Sequence, residues 1–383
     1  MSLGMRAAKC ASSILGNSKA LTSRSGISNG LNIRYRALSA TANPTPKVIF
    51  SGIQPTGIPH LGNYLGALKQ WVKLQNEAAP DTTLIYSLVD LHAITIQQDP
   101  DQLRKWRKES FAMLLAIGLD PERSTIFHQS HVPAHCELMW ILSCQASTGY
   151  LARMTQWKEK TAGEKDNSAK LKLGLFSYPV LQAADILVHG ATHVPVGHDQ
   201  AQHLEFSRQI ANGFNTVIGR NVLVAPETLI SPAKRVMSLK DPSAKMSKSH
   251  KDAKSRILLT DTEEEIGEKI KKAMTDSLDG ITYDPERRPG LSNLIDLLHY
   301  TDEDASKIDQ VTIAKELSGM PLRIIKEKVA TAVESAIRPI RERYQALVEN
   351  DALLNDAAAR GCEKATESAA KTLVKIKNAV GLS

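Results

Sequence analysis

KVIFSGIQPTGIPHLGNYLGA, residues 47–67, reads as a strand that runs into a turn-rich loop and leaves it as a helix. KVIFSG at 47–52 is a short apolar run closed by Gly52, and from near Gly62 the residues Leu65, Leu68, Trp71, Val72 and Leu74 recur at helical spacing. Between the two, Gly52, Gly57 and Gly62 bracket Pro55 and Pro59, so the backbone can turn tightly and approach a ligand closely just before a helix N-terminus opens. His60 and Asn63 then face any phosphate held there. As hydrogen-bond donors they suit stabilisation of charge gathering on an α-phosphate under in-line attack better than covalent catalysis. Taken alone, the same loop is also an ordinary Gly/Pro turn.

Downstream, the alternation continues. TLIYSLVDL at 83–91 is a second buried strand, Asp101 after Pro100 starts an amphipathic helix toward Ile117, and STIFHQS at 124–130 is a third strand. Short apolar runs at 192–197 and 222–225 alternate with further helices. The pattern predicts an α/β protein whose parallel sheet is covered on both faces and binds ligands at the carboxyl ends of its strands. Between about 131 and 190 it turns mostly helical around the polar stretch KEKTAGEKDNSAK at 158–170, a helical insertion carrying a loop. After Thr260 only helix and turn remain, beginning with the charged EEEIGEKIKKAM at 263–274. Three parts are therefore expected: 1–45, an α/β part over 46–260, and a helical part over 261–383.

KMSKS at 245–249 gives the first loop a partner. Lys245 and Lys248, three apart around the small Ser247, place two ammonium groups where a polyphosphate's charge moves toward a leaving pyrophosphate. The bland alternative is a solvated lysine loop. Two phosphate-handling segments around one nucleotide point to adenylate chemistry.

The net charge of +7 is misleading until it is located. Residues 1–47 carry seven basic and no acidic residues, and the rest of the chain has 41 of each sign. The pI therefore gives no argument for RNA binding by the body of the chain. Rich in Ser, Ala and Arg, without Asp or Glu and without a long apolar run, 1–45 reads as a mitochondrial transit peptide, or else as a basic tail. Cys10, Cys136, Cys144 and Cys362 contain no C-x-x-C pair, so neither a disulfide framework nor a zinc site is indicated.

SGIQPTGIPHLGNYLGA at 51–67, VDLHAIT at 89–95, MTQWKEK at 154–160, YPVLQAADILV at 178–188, VPVGHDQAQHLE at 194–205 and MSLKDPSAKMSKS at 237–249 together resemble tryptophanyl-tRNA synthetases of the bacterial and organellar type, over essentially 47–383. PHLGN occupies the place of the HIGH element of class I synthetases, and KMSKS is the second class I element unaltered. The resemblance implies a Rossmann-like catalytic domain with a helical insertion and an all-helical C-terminal domain. It implies an enzyme of the mitochondrial matrix that joins L-tryptophan to ATP and passes it to tRNA-Trp. Magnesium accompanies the nucleotide, with no protein-bound metal site and no membrane attachment. A homodimer touching near the helical insertion is implied as well.

Carried over residue by residue, Gln54, Pro55, Thr56, Gly62, Asn63, Gly197, His198, Asp199, Val236, Lys245, Met246, Ser247, Lys248 and Ser249 are expected at ATP, and His60, Asn63, Lys160, Lys245 and Lys248 at the reacting phosphates. Asp185 is the expected reader of the substrate, because an indole N–H is a lone donor that asks for one acceptor in an apolar pocket. The structural alternative is a helix cap or ion pair. Phe50, Tyr178, Gln182 and Val196 are expected around the ring. Gln182 stands where many bacterial members have Met, His198 where Glu is familiar, and Leu91 where Gln is familiar. Gln182 keeps a tyrosine enzyme open as the rival, and a non-catalytic RNA-binding relative is the rival of another class. The other histidines, His92, His128, His131, His135, His189 and His193, have no metal spacing and are expected in structural or surface roles. Arg338, Arg341 and Arg343 are either a solvated face or a contact for the tRNA anticodon stem.

Overall fold

Strand β1 (Val48–Ile53) lies at the centre of a five-stranded parallel sheet, beside β2 (Thr83–Leu88) along its whole length and beside β4 (His193–Val196) at Ile49. β3 (Thr125–His128) extends the sheet beyond β2 and β5 (Glu227–Ile230) beyond β4, giving the order β3-β2-β1-β4-β5. The computed structural model describes residues 46–383 except 162–171, 198–199, 231–234 and 249, and the predicted leader 1–45 lies outside them. The fifth strand falls at 227–230 rather than at 222–225. The Asn215 side chain takes up the backbone of that apolar run, accepting from the N–H groups of Val222 and Leu223 and donating to the Leu223 carbonyl.

After β1 come α1 (Leu61–Asn63), a π-helical turn (Tyr64–Leu68) and α2 (Lys69–Glu77). α3 (Asp90–Ala93) and α4 (Pro100–Ala116) link β2 to β3, and α4 starts where its sequence says: Asp99 accepts from the Gln102 N–H at 2.8 Å with Pro100 in the first turn. α5 (Ala134–Ser143), α6 (Thr148–Arg153), α7 (Thr155–Thr161) and α8 (Leu173–Leu187) form the insertion before β4, and α9 (Ala201–Ile218) precedes β5. The chain ends in α10 (Glu263–Lys271), α11 (Pro289–Thr301), α12 (Gln310–Glu316), α13 (Leu322–Val348) and α14 (Asp351–Val380).

Alternate strand residues enter two cores. Ile49, Leu84, Tyr86 and Ile126 join one with α4, α11 and α13; Phe50, Ile85 and Phe127 join the other with α5, α8 and α9. This is the period-two alternation of a sheet covered on both faces, and it explains why the β2 sequence is apolar throughout. From β1 the chain winds outward through β2 and β3, then returns to the other side of β1 as β4. The β1–β4 seam is therefore the topological switch point, where a crevice opens outside the strands' carboxyl ends.

Candidate active site

A cavity of about 440 Å³ lies at this seam, walled by residues 50–53 of β1 and Gln54 after it, by Val194 and Pro195 of β4 and Gly197 beyond it, and by α8. Seven residues singled out in the sequence line it: Phe50, Gln54, Asn63, Tyr178, Gln182, Asp185 and Gly197. Tyr178 donates to Gln156 Oε1 at 2.7 Å and meets His203 Nε2 at 2.9 Å, and Gln182 donates to Gln200 Oε1 at 3.2 Å. The polar groups of this wall are thus fixed in place.

Asp185, in the last turn of α8, is 1 % exposed. Burial alone would push its carboxyl up. Hydrogen bonds from His135 and His92 reverse the sign and hold it well below the usual carboxylate range, so the group is an anion. His92 Nε2 donates to Oδ2 at 2.9 Å, while His135 Nδ1 and Gln129 Nε2 donate to Oδ1 at 2.7 and 2.6 Å. A buried charge without such donors would cost several kcal/mol.

At the helix N-terminus, His60 and Asn63 cap each other. Nδ1 of His60 accepts from the Asn63 backbone N–H, and Oδ1 of Asn63 accepts from the His60 backbone N–H, both at 3.2 Å. With these acceptors occupied, His60 keeps its Nε2–H and Asn63 its amide N–H groups as donors. Burial, together with Lys248, Lys245 and Arg256, lowers the His60 pKa to about 4, so the imidazole is neutral at pH 7. Gly62 leaves room for this ring: a Cβ there would stand 3.0 Å from it and push it by a few tenths of an ångström.

The Gly/Pro loop and the lysine loop touch. Lys248 Nζ donates to the Gly57 carbonyl at 2.7 Å, and burial, with Arg256 adding, lowers its pKa to about 8. The backbone joins them as well: Leu61 N–H donates to the Ile257 carbonyl at 2.8 Å and Leu259 N–H to that of Pro59 at 3.1 Å. Met246 and Val236 are core residues beneath the lysine loop, linked by the Met246 N–H to Val236 carbonyl bond at 3.0 Å, and Lys245 is exposed. Pro55 is buried and Thr56 and Ser247 half-buried. His198, Asp199 and Ser249 lie outside the described residues, as do the side chains of Lys160 and Val196.

Three residues at Asp185 were not singled out for the site. Gln129 follows directly on β3, and His92 and His135 lie in the short helices that come after β2 and β3, so position past the strands' carboxyl ends was the available signal. Arg341 pairs with Glu334 at 2.6 Å and Arg343 donates to the Ala116 carbonyl at 2.6 Å, so both are tied down within the fold, while Arg338 is exposed. A larger groove of about 1080 Å³, lined by Tyr64, Tyr300 and α13, contains none of the expected site residues. Among the described residues, no group of three His, Cys, Asp or Glu side chains is placed to hold a metal ion.

The family described as tRNA synthetases class I (W and Y) matches residues 43–338. The mitochondrial tryptophan–tRNA ligase of Schizosaccharomyces pombe is 44 % identical over 349 residues, covering 88 % of this chain and 95 % of that protein. That of Saccharomyces cerevisiae is 41 % identical over 356 residues, 90 % of this chain and 93 % of that protein. Among solved structures, the tryptophanyl-tRNA synthetase of Mycoplasma pneumoniae superposes with a TM-score of 0.77 at 30 % identity, over 88 % of this chain and 99 % of the other. That of Campylobacter jejuni, complexed with ADP and tryptophan, gives 0.73 at 32 % identity over 88 % and 100 %. A switch-point cavity lined in part by the 54–63 loop, to which the lysine loop is joined, together with likeness over nearly the whole described chain, makes this protein a member of the class I tRNA synthetases of the tryptophan and tyrosine group.

Proposed function

We infer that the chain is a tryptophan–tRNA ligase, which activates L-tryptophan with ATP to tryptophanyl-adenylate and pyrophosphate and passes the acyl group to tRNA-Trp. The anionic Asp185 carboxylate at the wall of the switch-point cavity carries the choice of amino acid, since it supplies the single acceptor an indole N–H requires. The Campylobacter relative, with ADP and tryptophan, supports the same pair of ligands. Phe50, Tyr178, Gln182 and Val196 surround the ring.

In this reading ATP lies over the 54–63 loop, and its phosphates meet the α1 N-terminus. The tryptophan carboxylate attacks the α-phosphorus in line. Neutral His60 and the Asn63 amide donate to the oxygens where charge accumulates, while Lys245, Lys248 and Lys160 draw the leaving pyrophosphate. Gln54, Pro55, Thr56, Gly62, Gly197, His198, Asp199, Val236 and the loop Lys245 to Ser249 form the nucleotide site. Magnesium comes with the phosphates, whose oxygens supply its ligands. Catalysis then rests on positioning and electrostatics, with no covalent enzyme intermediate.

The mitochondrion is the compartment of the fungal relatives. We place this chain in the matrix, with 1–45 as its import signal, 46–260 as the activating domain and 261–383 as the part that meets the tRNA. A homodimer through the helical insertion accounts for Trp140 on α5, which is 71 % exposed.

ATP–pyrophosphate exchange tests the reading. Tryptophan should drive it and tyrosine should not; faster exchange with tyrosine would end the assignment. Asp185→Asn should raise the KM for tryptophan about 10- to 100-fold, the equivalent of one charge-assisted hydrogen bond.

A further inference from the structure

The four hydrogen-bonding directions of the Asp185 carboxylate are unequally used. Oδ1 accepts from both His135 Nδ1 (2.7 Å) and Gln129 Nε2 (2.6 Å), which fills it, whereas Oδ2 accepts from His92 alone (2.9 Å) and keeps one direction open. His92 lines the cavity with Asp185. Neither His135 nor Gln129 does; both act from behind.

The rear donors are themselves held. Gln129 Oε1 accepts from the Leu91 N–H at 3.1 Å, which turns its NH2 toward Asp185. The His135 ring is 0 % exposed and sits against Phe127, 5.7 Å away, and His189, 5.2 Å away. His189 in turn pairs through Nδ1 with Ser368 Oγ on α14 at 3.2 Å. Among the described residues, Nε2 of His135 has no hydrogen-bond partner. Leaving a buried polar atom unpaired costs about 1–3 kcal/mol, so the imidazole is not kept here for stability alone. What it supplies is the bond at Nδ1.

We propose that His135 is a positioning residue for substrate selection. With Gln129 it saturates Oδ1 of Asp185, fixes the carboxylate plane, and leaves Oδ2 as the one acceptor presented to the indole N–H. The inference rests on Asp185 being that acceptor. A carboxylate held at one oxygen cannot swing to follow a misplaced ring, so a substrate lacking the N–H leaves Oδ2 desolvated and unpaired. The discrimination comes from that unpaired acceptor. Loosening the rear donors lets the carboxylate rotate and lowers this penalty for the wrong substrate as well as the gain for the right one.

The test is ATP–pyrophosphate exchange by the full chain with tryptophan and with β-(3-benzothienyl)alanine, the sulfur isostere that lacks the N–H. His135→Phe keeps a flat ring and removes the donor; His135→Asn returns an N–H near the position of Nδ1. In His135→Phe the ratio of kcat/KM for tryptophan over the isostere should fall at least about tenfold, through KM for tryptophan, with KM for ATP within about threefold. His135→Asn should recover most of the ratio. Asp185→Asn serves as the reference. If it collapses the ratio while His135→Phe leaves it within about twofold of wild type, His135 does not position the acceptor and the proposal is overturned. If neither changes it, Asp185 does not read the N–H and both readings fall together. Should His135→Phe fail to fold, Gln129→Leu removes the other donor on Oδ1; a fallen ratio there supports the proposal and an unchanged one overturns it.

Discussion

At the scale of single residues, Lys248 shows how a side chain read from a motif acquires a property from its surroundings. Three apart from Lys245 in a loop, it reads as a plain ammonium; in the structure burial, with Arg256 adding, lowers its pKa from 10.5 to about 8. A lysine with a lowered pKa carries its charge below that value and loses it as pH rises through it. The expected result is a kcat/KM for ATP in pyrophosphate exchange that is flat near neutrality and declines above about pH 8, since this parameter reports the free enzyme. Lys248→Arg should abolish the decline, because a guanidinium stays charged there. A decline unchanged in that variant would assign it to another group. His60 is perturbed in the opposite functional sense: lowered to about 4, it is a neutral donor throughout the working range.

Among the elements, the segment from β1 to α2 combines strand, loop, a single turn of α-helix and a π-helical turn in 30 residues, Val48–Glu77. Its function depends on close approach at Gly62. Gly62→Ala favours helix by backbone propensity, yet its Cβ would meet the His60 ring at 3.0 Å and displace it. The expected outcome is a separation of effects: a melting temperature within about 2 °C of wild type, and kcat for adenylate formation down about tenfold from the shifted donor. Stopped-flow measurement of single turnovers would show it, and an unaltered kcat would remove His60 from the reacting centre. α5 belongs to this scale too, since its exposed Trp140 is the residue the dimer reading depends on. Light scattering should give a dimer mass that Trp140→Lys shifts to monomer; a monomeric wild-type protein would dispose of that interface.

For the whole molecule, α14 ties the last part of the chain to the sheet. Leu354 and Ala357 enter the core on one face of the sheet, and Ala365, Ala369, Leu373 and Ile376 enter the core on the other. The helix therefore passes across the open edge of β3, and it does so at Gly361, where a Cβ would stand 1.8 Å from the Ile126 carbonyl oxygen. Small residues at four-residue spacing allow the approach, and the helix covers an otherwise exposed strand edge. Gly361→Ala should destabilise the fold by about 2–5 kcal/mol, read as a melting temperature at least about 5 °C lower. Retained stability would mean that α14 does not press on the Ile126 carbonyl at Gly361.

The order of strands and helices and the glycine-rich turn were legible in the sequence, because each depends on local spacing: period two, period 3.6, and glycine at the tight turn; the paired lysines stood in a short motif, and Asp185 was singled out through the family resemblance. Where β5 begins was not, since the Asn215 side chain takes up the backbone of the more apolar run beside it. Nor was the fate of Arg341 and Arg343, whose partners Glu334 and Ala116 are brought to them by helix packing. Tertiary structure alone decided what surrounds Asp185. His92, Gln129 and His135 follow two different strands, and the parallel sheet brings those strands' carboxyl ends to one side, where α8 delivers the carboxylate. A buried charge is set by the donors around it, and here those donors come from residues 50 to 93 positions away in the chain.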